Sequence, residues 1–504
     1  MCLCIHASCV VPGSASTSSK QKREQRADQP AKRPSDHSIH ASLQTSHSHV
    51  LYHKLGQSRS RPLHCHASLD QQLNTTSKPK VVGLGSVGLD YLAQVAKFPQ
   101  PDEKLRTEKM ETRGGGNCAN ALTAAARLGL DSYLVSKVGD DSIGQEIEQE
   151  LLSDGVKTHF LLRAQGRPSP FTYIIVDKQG GTRTCIHTPG AAYSPQDLSQ
   201  STISQALADA QLVYFDGRLT ESAVMLARAA RQQRVPVLVE AERLRPNLEM
   251  LLGEADYVCT SAHFPQQWTG ETALGDALHT TLSRLPRVKF VITTLGRRGS
   301  VLIARTDSQE ATQKAVLEDL LHSMLDEVGS SNHAADGNGN GRGDGDGSSL
   351  LGCTARSGTP VKAGQVTSTD KPFRLRLQRN PGDSPEATAA AEKAAEAEAS
   401  ANADSTNASA YGRKASTAAA TADSDLIARV TVASAATLPQ EAVEDTTGAG
   451  DAFIGTILYG VIHKLPHDKM LRLAALVAAC KCTALGARPG LPHAHDIDAD
   501  LLTA

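Results

Sequence analysis

An α/β fold with a mostly parallel sheet is predicted by three observations. Between Leu212 and Thr293, short β-rich runs alternate with helix-patterned runs, the order that yields parallel strands covered by helices on both faces. A buried-strand pattern, Val81-Val82-Gly83-Leu84-Gly85, starts the folded sequence. Near the C-terminus a glycine turn runs directly into an apolar helical pattern, Ala452, Phe453, Ile457, Leu458 and Val461.

The elements follow in order. Residues 119–128 read as a helix ended by Gly129, and 143–153 as an amphipathic helix closed by Gly155. Residues 132–137 read as a strand. The β-rich runs at 159–162, 171–176 and 182–187, with a Gln179-Gly180-Gly181 turn before the last, predict a hairpin region. Strands are then expected at 212–215, 235–239, 257–260, 290–293 and 300–304, and helices at 220–231 and 274–283.

Two segments break the pattern. Residues 1–78 are rich in Ser, His, Lys and Arg, with Glu24, Asp28, Asp36 and Asp70 as their acids. That composition is expected of an organelle transit peptide, or else of an unstructured tail. A plastid is favoured over a mitochondrion because the stretch is Ser-rich and lacks an Arg-studded amphipathic helix. Residues 306–425 contain a Gly/Asn/Asp run (337–347) and an Ala/Glu-rich run (385–403), and read as a low-complexity insertion. Its flanks, 301–305 and 426–432, look like two strands of one hairpin. Extending a hairpin tip is cheap, since loop-closure entropy grows by about 0.6 kcal/mol per doubling of length. Helical periodicity at 309–328 and alternation at 373–377 suggest some local order inside it. The folded domain is therefore expected at 79–305 and 426–504.

A chain of 504 residues is long enough for one large α/β domain with additions. Net charge is −2, with no basic excess to suggest a nucleic-acid partner, and no apolar run reaches membrane-spanning length, so a soluble protein is expected. The ten cysteines are scattered without zinc-site spacing and read as reduced thiols of an intracellular protein.

The chemistry concentrates at Asp445-Thr446-Thr447-Gly448-Ala449-Gly450-Asp451. A helix N-terminus offers unpaired N–H groups and partial positive charge to an anion. Gly448 and Gly450 let the backbone approach a ligand. A carboxylate there would repel phosphate, so Asp451 is read as a base taking a proton from a hydroxyl that attacks a phosphoryl group held by those N–H groups. The bland alternative is a capping acid beside turn glycines. A second turn, Gly114-Gly115-Gly116-Asn117-Cys118-Ala119-Asn120, supplies two amides, and Asp90 supplies an acceptor for vicinal hydroxyls, a set suited to a polyol. Asn117 and Asn120 could equally be cap and turn residues. The turn Thr294-Leu295-Gly296-Arg297-Arg298-Gly299 follows a strand and leaves room for a nucleotide, or is a plain strand-to-strand turn.

Taken in order, residues 115–129, 294–299 and 445–451 resemble the ribokinase-like (PfkB) family of carbohydrate kinases over roughly 79–305 and 426–495. The resemblance implies a three-layer α/β sandwich with a mostly parallel central sheet and a small β-sheet lid from the stretches near 104–113 and 158–188. It implies ATP as donor, a sugar or nucleoside hydroxyl as acceptor, and Mg²⁺ arriving mainly with the nucleotide. It implies Asp451 as base with the N–H groups of 448–451 (Gly448, Ala449, Gly450 and Asp451) as anion hole. Asp90, Gly115, Gly116, Asn117, Asn120 and Arg218 would hold the acceptor, and Thr294, Gly296, Gly299, Thr446, Gly448 and Gly450 the ATP. A homodimer through the lid and a monovalent cation such as K⁺, with the stretch 486–490 contributing, belong to the same expectation.

Within the family, Gly115-Gly116-Asn117-x-x-Asn120, Asp216-Gly217-Arg218 and Val239-Glu240-Ala241-Glu242 look most like ketohexokinase, with ribokinase next. Ser261-x-x-Phe264 stands where many members carry Asn-x-x-Glu for Mg²⁺ and phosphate, so the metal contacts stay unassigned. Gly88 stands where ribokinase-like members often place a polar residue, which weakens a claim for ribose. Lid arginines 106, 113, 163, 167 and 183 would serve a sugar-phosphate acceptor. Two other classes compete. Gly83-x-Gly85-x-x-Gly88 followed by a helix-like 91–98 fits the dinucleotide pattern, although the polar stretch after it makes a poor second strand. A non-catalytic scaffold with the kinase fold is the other.

Overall fold

The structure, a computed structural model, describes residues 77–180, 182–306, 313–333, 352–355, 357–369, 371–377 and 426–504. The segment read as a transit peptide lies outside them, apart from its last two residues, as do the Gly/Asn/Asp and Ala/Glu runs. Strands are β1 (Lys80–Leu84), β2 (Gly88–Val95), β3 (Lys109–Gly115), β4 (Asp131–Gly139), β5 (Lys157–Ala164), β6 (Phe171–Asp177), β7 (Thr182–Thr188), β8 (Ala210–Phe215) and β9 (Val237–Ala241). They continue as β10 (Tyr257–Thr260), β11 (Phe290–Thr294), β12 (Ser300–Arg305), β13 (Lys314–Val316), β14 (Gly352–Thr354), β15 (Pro360–Lys362), β16 (Val366–Ser368), β17 (Phe373–Arg376) and β18 (Leu426–Ala433).

Among the described residues the central sheet runs β13-β17-β18-β12-β11-β10-β9-β8-β1-β4-β5, with β16 also on β18. The pairs from β11 through β5 are parallel, and β12 and β18 close that side antiparallel. Both faces are covered, so the strands are apolar throughout. Leu212 and Tyr214 of β8 face one core and Val213 and Phe215 the other. The first core is covered by helices α1 (Asn117–Arg127), α9 (Ala449–Ile462) and α10 (His467–Lys481), and the second by α4 (Thr220–Gln232), α7 (Leu274–Arg284) and α8 (Leu317–His333).

A separate four-stranded sheet, β3-β2-β6-β7, forms the lid. Three expectations change here. The stretch after Gly88, helix-like in sequence, is lid strand β2, so no strand–turn–helix nucleotide unit exists at this point. The glycines of that pattern have packing reasons: a Cβ on Gly83 would lie 2.8 Å from Cys118 Sγ, and one on Gly85 would lie 2.5 Å from the Asp216 carboxylate. They let α1 settle onto β1. Further, the first β-run of the hairpin region, β5, pairs with β4 at the edge of the central sheet instead of joining the lid. The earlier lid piece begins at Lys109, later than residue 104.

The stretch 306–425 is also more than a low-complexity insertion. The hairpin of β12 and β18 is present, in register from Ser300↔Ala433 to Arg305↔Ala428. Residues between them extend the sheet: β17 and β16 pair with β18, and β13 pairs with β17. Leu317, Leu321, Met324 and Val328 of α8 are buried, as is Leu375 of β17. Of the helical periodicity expected over 309–328, residues 309–312 lie outside the described residues, Lys314–Val316 is drawn into the sheet edge, and the helix runs from Leu317.

The contact that positions the site is between α1 and α9. A Cβ on Gly455 would stand 2.3 Å from the Ala121 carbonyl oxygen and 2.6 Å from Ala124 Cβ, so the two helices meet backbone to backbone. Replacing Gly455 by Ala therefore opposes two effects. Helix propensity alone favours Ala by about 1 kcal/mol. Overpacking against main chain costs on the order of 1–3 kcal/mol. A net loss of stability is expected, read as a lower Tm. A Gly455→Ala protein with an unchanged or higher Tm would show that the helices are not in this contact.

Candidate active site

α9 begins at a turn that only glycine adopts easily. Gly448 caps it with φ 77° and ψ 4°, in the left-handed region. Its missing Cβ makes room for Ala487, which would lie 2.6 Å away, and not for a ligand. Gly450 is the position that faces open space, with nothing within 4 Å of a hypothetical Cβ. The Ala449 N–H is tied to the Thr446 carbonyl at 3.3 Å, which takes it out of the expected anion hole. The Gly450 and Asp451 amides, in the first turn with no acceptor one turn back inside the helix, remain as donors.

Asp451 is buried and accepts a hydrogen bond from Asn120 Nδ2 on Oδ2 at 2.8 Å. The partners are 331 residues apart in the chain, and the α1–α9 contact joins them. Arg488 Nε in turn donates to Asn120 Oδ1 at 3.0 Å. Because the oxygen of that amide faces a guanidinium, its NH₂ must face Asp451. Burial pushes the Asp451 carboxyl up to about 6. Asn120 and Arg218 pull it down, and Glu242 and Asp216 push it further up.

The acceptor-side residues converge on the same place. Asp90 is buried at the base of the lid, and a Cβ on Gly115 would lie 2.4 Å from its carboxylate. Burial raises Asp90 to about 7, against the pull of Arg488 and a hydrogen bond with Thr172. Gly116, at φ 89°, caps α1 where a Cβ would strike the main chain of Val87 at 2.5 Å. Asn117 Oδ1 accepts from Arg218 Nη2 at 3.1 Å, and the same nitrogen donates to Glu242 at 2.9 Å. Arg218 Nε is buried without a hydrogen-bond partner, a donor left for something else. Asp216 braces this corner by accepting from the Ser86 amide and hydroxyl at 2.7 and 2.6 Å and from the Arg218 amide at 3.1 Å.

The nucleotide-side expectations are only partly brought together. Thr446 is bonded by lid residue Arg183 at 2.7 Å, and Lys109 of the lid pairs with Glu444 at 2.9 Å, so the lid grips the loop that leads into α9. Thr294 ends β11 and bonds the Thr260 carbonyl. Gly296 and Gly299 take positive φ in the turn that follows, and Gly299 also abuts the Ala433 carbonyl. Leu295, Arg297 and Arg298 of that turn line a cavity of about 600 Å³, walled on its far side by Leu321 and Leu325 of α8. No hydrogen bond among the described residues links the 294–299 turn to Asp451. Of the arginines expected in the lid, Arg113 pairs with Glu111, and Arg163, on β5, pairs with Glu148, while Arg183 bonds Thr446 in the loop that leads into α9.

Where Asn-x-x-Glu was missing, Phe264 is a fully buried core residue and Ser261 Oγ bonds the Glu242 carbonyl. The described residues contain no cluster of three or more His, Cys, Asp or Glu able to hold a metal ion. Of the nearby carboxylates, Glu240 accepts from Tyr214 at 2.6 Å and burial raises it to about 8, while Glu242 is paired with Arg218 and Arg243. Arg488 and Lys481 were not among the residues expected from sequence. A basic residue in a helix's last turn, like Lys481, or in an apolar loop, like Arg488, is an equivocal signal, and both are almost wholly buried.

Comparison with known proteins agrees with this fold. The profile of the pfkB family carbohydrate kinase matches residues 78–316 and 383–494. Ribokinase of Bacillus subtilis is 25% identical over 199 residues, 39% of this chain and 66% of that protein. The bifunctional ribokinase/ribose-5-phosphate isomerase A of Fructilactobacillus sanfranciscensis is 26% identical over 239 residues, 45% of this chain and 43% of that protein. The chain thus spans about half to two thirds of the length of these curated relatives. Among solved structures, Arabidopsis thaliana ribokinase complexed with ribose and ATP superposes with a TM-score of 0.52 at 18% identity, covering 85% of this chain and 100% of that one. A protein from Agrobacterium tumefaciens described as a ribokinase gives 0.52 at 19%, covering 84% and 98%. At such identities the superpositions establish the ribokinase-like fold alone. With the family profile matched over 78–316 and 383–494 and the fold shared, the chain belongs to the pfkB family of carbohydrate kinases.

Proposed function

We propose that the protein transfers the γ-phosphoryl group of ATP to a hydroxyl of a sugar or related polyol, with Asp451 as the general base. The observation that carries this reading is the 2.8 Å bond from Asn120 to a buried Asp451 at a helix N-terminus. Oδ2 is held by Asn120, and no hydrogen bond from a described residue reaches Oδ1, which is free to take the acceptor's proton. The hydroxyl oxygen then attacks the γ-phosphorus, its bond to phosphorus forms, and the bond to the β-phosphate oxygen breaks to release ADP. The Gly450 and Asp451 amides stabilise charge on the transferring group, about 3–4 kcal/mol for a well-placed donor. Asp90, Asn117, Asn120 and the unpartnered Arg218 Nε would fix the acceptor.

The cavity beside the 294–299 turn has a size that suits a nucleoside, which supports binding of the donor on that side. The described residues offer no carboxylate cage for Mg²⁺, so the ion would be held by the nucleotide's phosphates and water. Lid contacts at Arg183 and Lys109 would close the site against water, favouring transfer over hydrolysis. A nucleoside acceptor has the same hydroxyl chemistry, and a relative from Methanothermobacter thermautotrophicus carries the name nucleoside kinase.

The outer lid face carries Met110, Tyr173 and Ile186 at 62%, 49% and 54% exposure, in register with Tyr91 and Ala93 of β2. Such a patch supports pairing of two lids in a homodimer. Light scattering should give a mass twice that of the chain, and Tyr173→Lys should halve it. A wild-type monomer at micromolar concentration would reject this arrangement. The composition of residues 1–78 supports plastid import; a fluorescent fusion to that segment should enter plastids, and a cytosolic or mitochondrial signal would reject it.

The activity itself is tested by ADP release over a panel of ketohexoses, pentoses, inositols and nucleosides. One acceptor should give turnover, and kcat/KM should rise with pH through about 6, since Asp451 must be ionised to accept a proton and burial holds its carboxyl at about that value in the free protein. Asp451→Asn should lower kcat by roughly 10²–10⁴ or more while leaving acceptor and ATP binding nearly intact. It should not lower Tm, because it removes a charge whose burial opposes ionisation. Near-wild-type turnover in Asp451→Asn would refute the base assignment. Silence of the wild-type protein across the whole panel would refute the activity.

A further inference from the structure

Behind the turn that opens α9 lies a charged group that the mechanism does not use. Lys481, the last residue of α10, is fully buried. Its Nζ donates to the Asp445 carbonyl at 2.6 Å and to the Ala484 carbonyl at 3.4 Å. These carbonyls belong to the two loops that form the seat of the phosphate turn. The loops are joined twice more: the Glu444 and Asp445 amides donate to the Cys482 carbonyl at 2.9 and 3.2 Å, and the Gly486 amide donates to Asp445 Oδ2 at 2.9 Å. Asp445 Oδ1 accepts from the Thr447 amide and hydroxyl at 2.8 and 2.7 Å.

The Asp445 carboxylate also supplies the main opposing charge to the ammonium. Burial pulls the Lys481 amine below its ordinary value, and Asp445 acts against that pull. An ammonium buried this deeply persists only where oxygen acceptors meet it. Carbonyl oxygens converging from two loops, with a carboxylate beside them, are equally the donor set of a monovalent metal ion. The stretch 486–490 had been expected to contribute to such a site. With Nζ already bonded to both carbonyls, the residues present do not fit a K⁺ ion there.

We propose that the Lys481 ammonium is the resident cation of the phosphate loop, standing where a monovalent metal ion would otherwise sit, so that ATP binding needs no added K⁺. This rests on the phosphoryl-transfer reading above. Lys481 is a positioning residue. By drawing the Asp445 carbonyl inward it turns the Thr446 amide of the same planar peptide the opposite way, and it holds the approach to Gly448 in one conformation.

The test compares the full chain in tetramethylammonium chloride and in KCl at equal ionic strength, reading ATP affinity and the unliganded thermal midpoint. Wild type should show the same ATP affinity in both salts, within about twofold, and the same midpoint. Lys481→Ala should bind ATP about tenfold more weakly in tetramethylammonium chloride, the lower end of what supporting groups behind a binding site contribute. KCl or ammonium chloride should restore most of that loss and raise the variant's midpoint, because the vacated carbonyls regain a cation. A purely packing role would not respond to a small cation. A wild-type protein that gains tenfold or more in affinity from KCl overturns the proposal, as does a Lys481→Ala protein with unchanged affinity or with a loss that no monovalent cation restores. If Lys481→Ala does not fold, the wild-type salt comparison decides. A wild type that binds no ATP in either salt overturns the kinase reading instead, and the midpoints then judge the cation.

Discussion

The close approach of α1 and α9 is the constraint on which the site depends. Gly455 lies against the Ala121 carbonyl, and Ala124 packs beside it, so no side chain separates the helices. One turn before Gly455 stands Asp451, and next to Ala121 stands Asn120. Their hydrogen bond follows from the helix contact, since residues four apart on a helix share a face. A wider interface, the usual result of Leu or Ile at such positions, would leave an amide and a carboxylate buried out of reach of each other.

Charge is managed around this contact by supports at different depths. Arg488 lies beneath, bonded to Asn120 and to the Gly115 carbonyl and near Glu150 and Asp154, and so connects the Asn120–Asp451 pair to the turn that opens α1. Lys481 braces the loop entering α9 from behind. Arg218 spans Asn117 and Glu242 at the open side. Three carboxyls, on Asp90, Glu240 and Asp451, are raised toward or past neutrality chiefly by burial. A carboxyl held at about 6 is ionised at neutral pH yet less solvated than an exposed acid, which suits the base role proposed for Asp451.

Much of the architecture was legible in the chain because periodicity reports burial directly. β8, with neighbours buried on alternate faces, could be read that way, and so could the pairing of β12 with β18 across more than a hundred residues. The lid was harder. β2 follows a glycine pattern with a run that fits a helix, and only pairing with β3 and β6 makes it a strand. β5 has the composition of a lid strand but finds its partner in β4. The stretch 306–425 looked expendable because its polar runs dominate, although Leu317, Leu321, Val328 and Leu375 are core residues.

The sequence by itself determined the alternating α/β framework, the turn that opens α9, and the identity of Asp451, Asn117, Asn120 and Asp90 as the polar set. These depend on local chain geometry and on residue types whose chemistry few positions need. Tertiary structure alone decided that Ala449 has no amide to offer, that Gly448 faces Ala487 and not a ligand, and that Arg488 and Lys481 stand behind the site. A buried cation is meaningful only through the oxygens that surround it. Those oxygens come from segments hundreds of residues apart, or from carbonyls that every residue carries, so no pattern of side chains announces them.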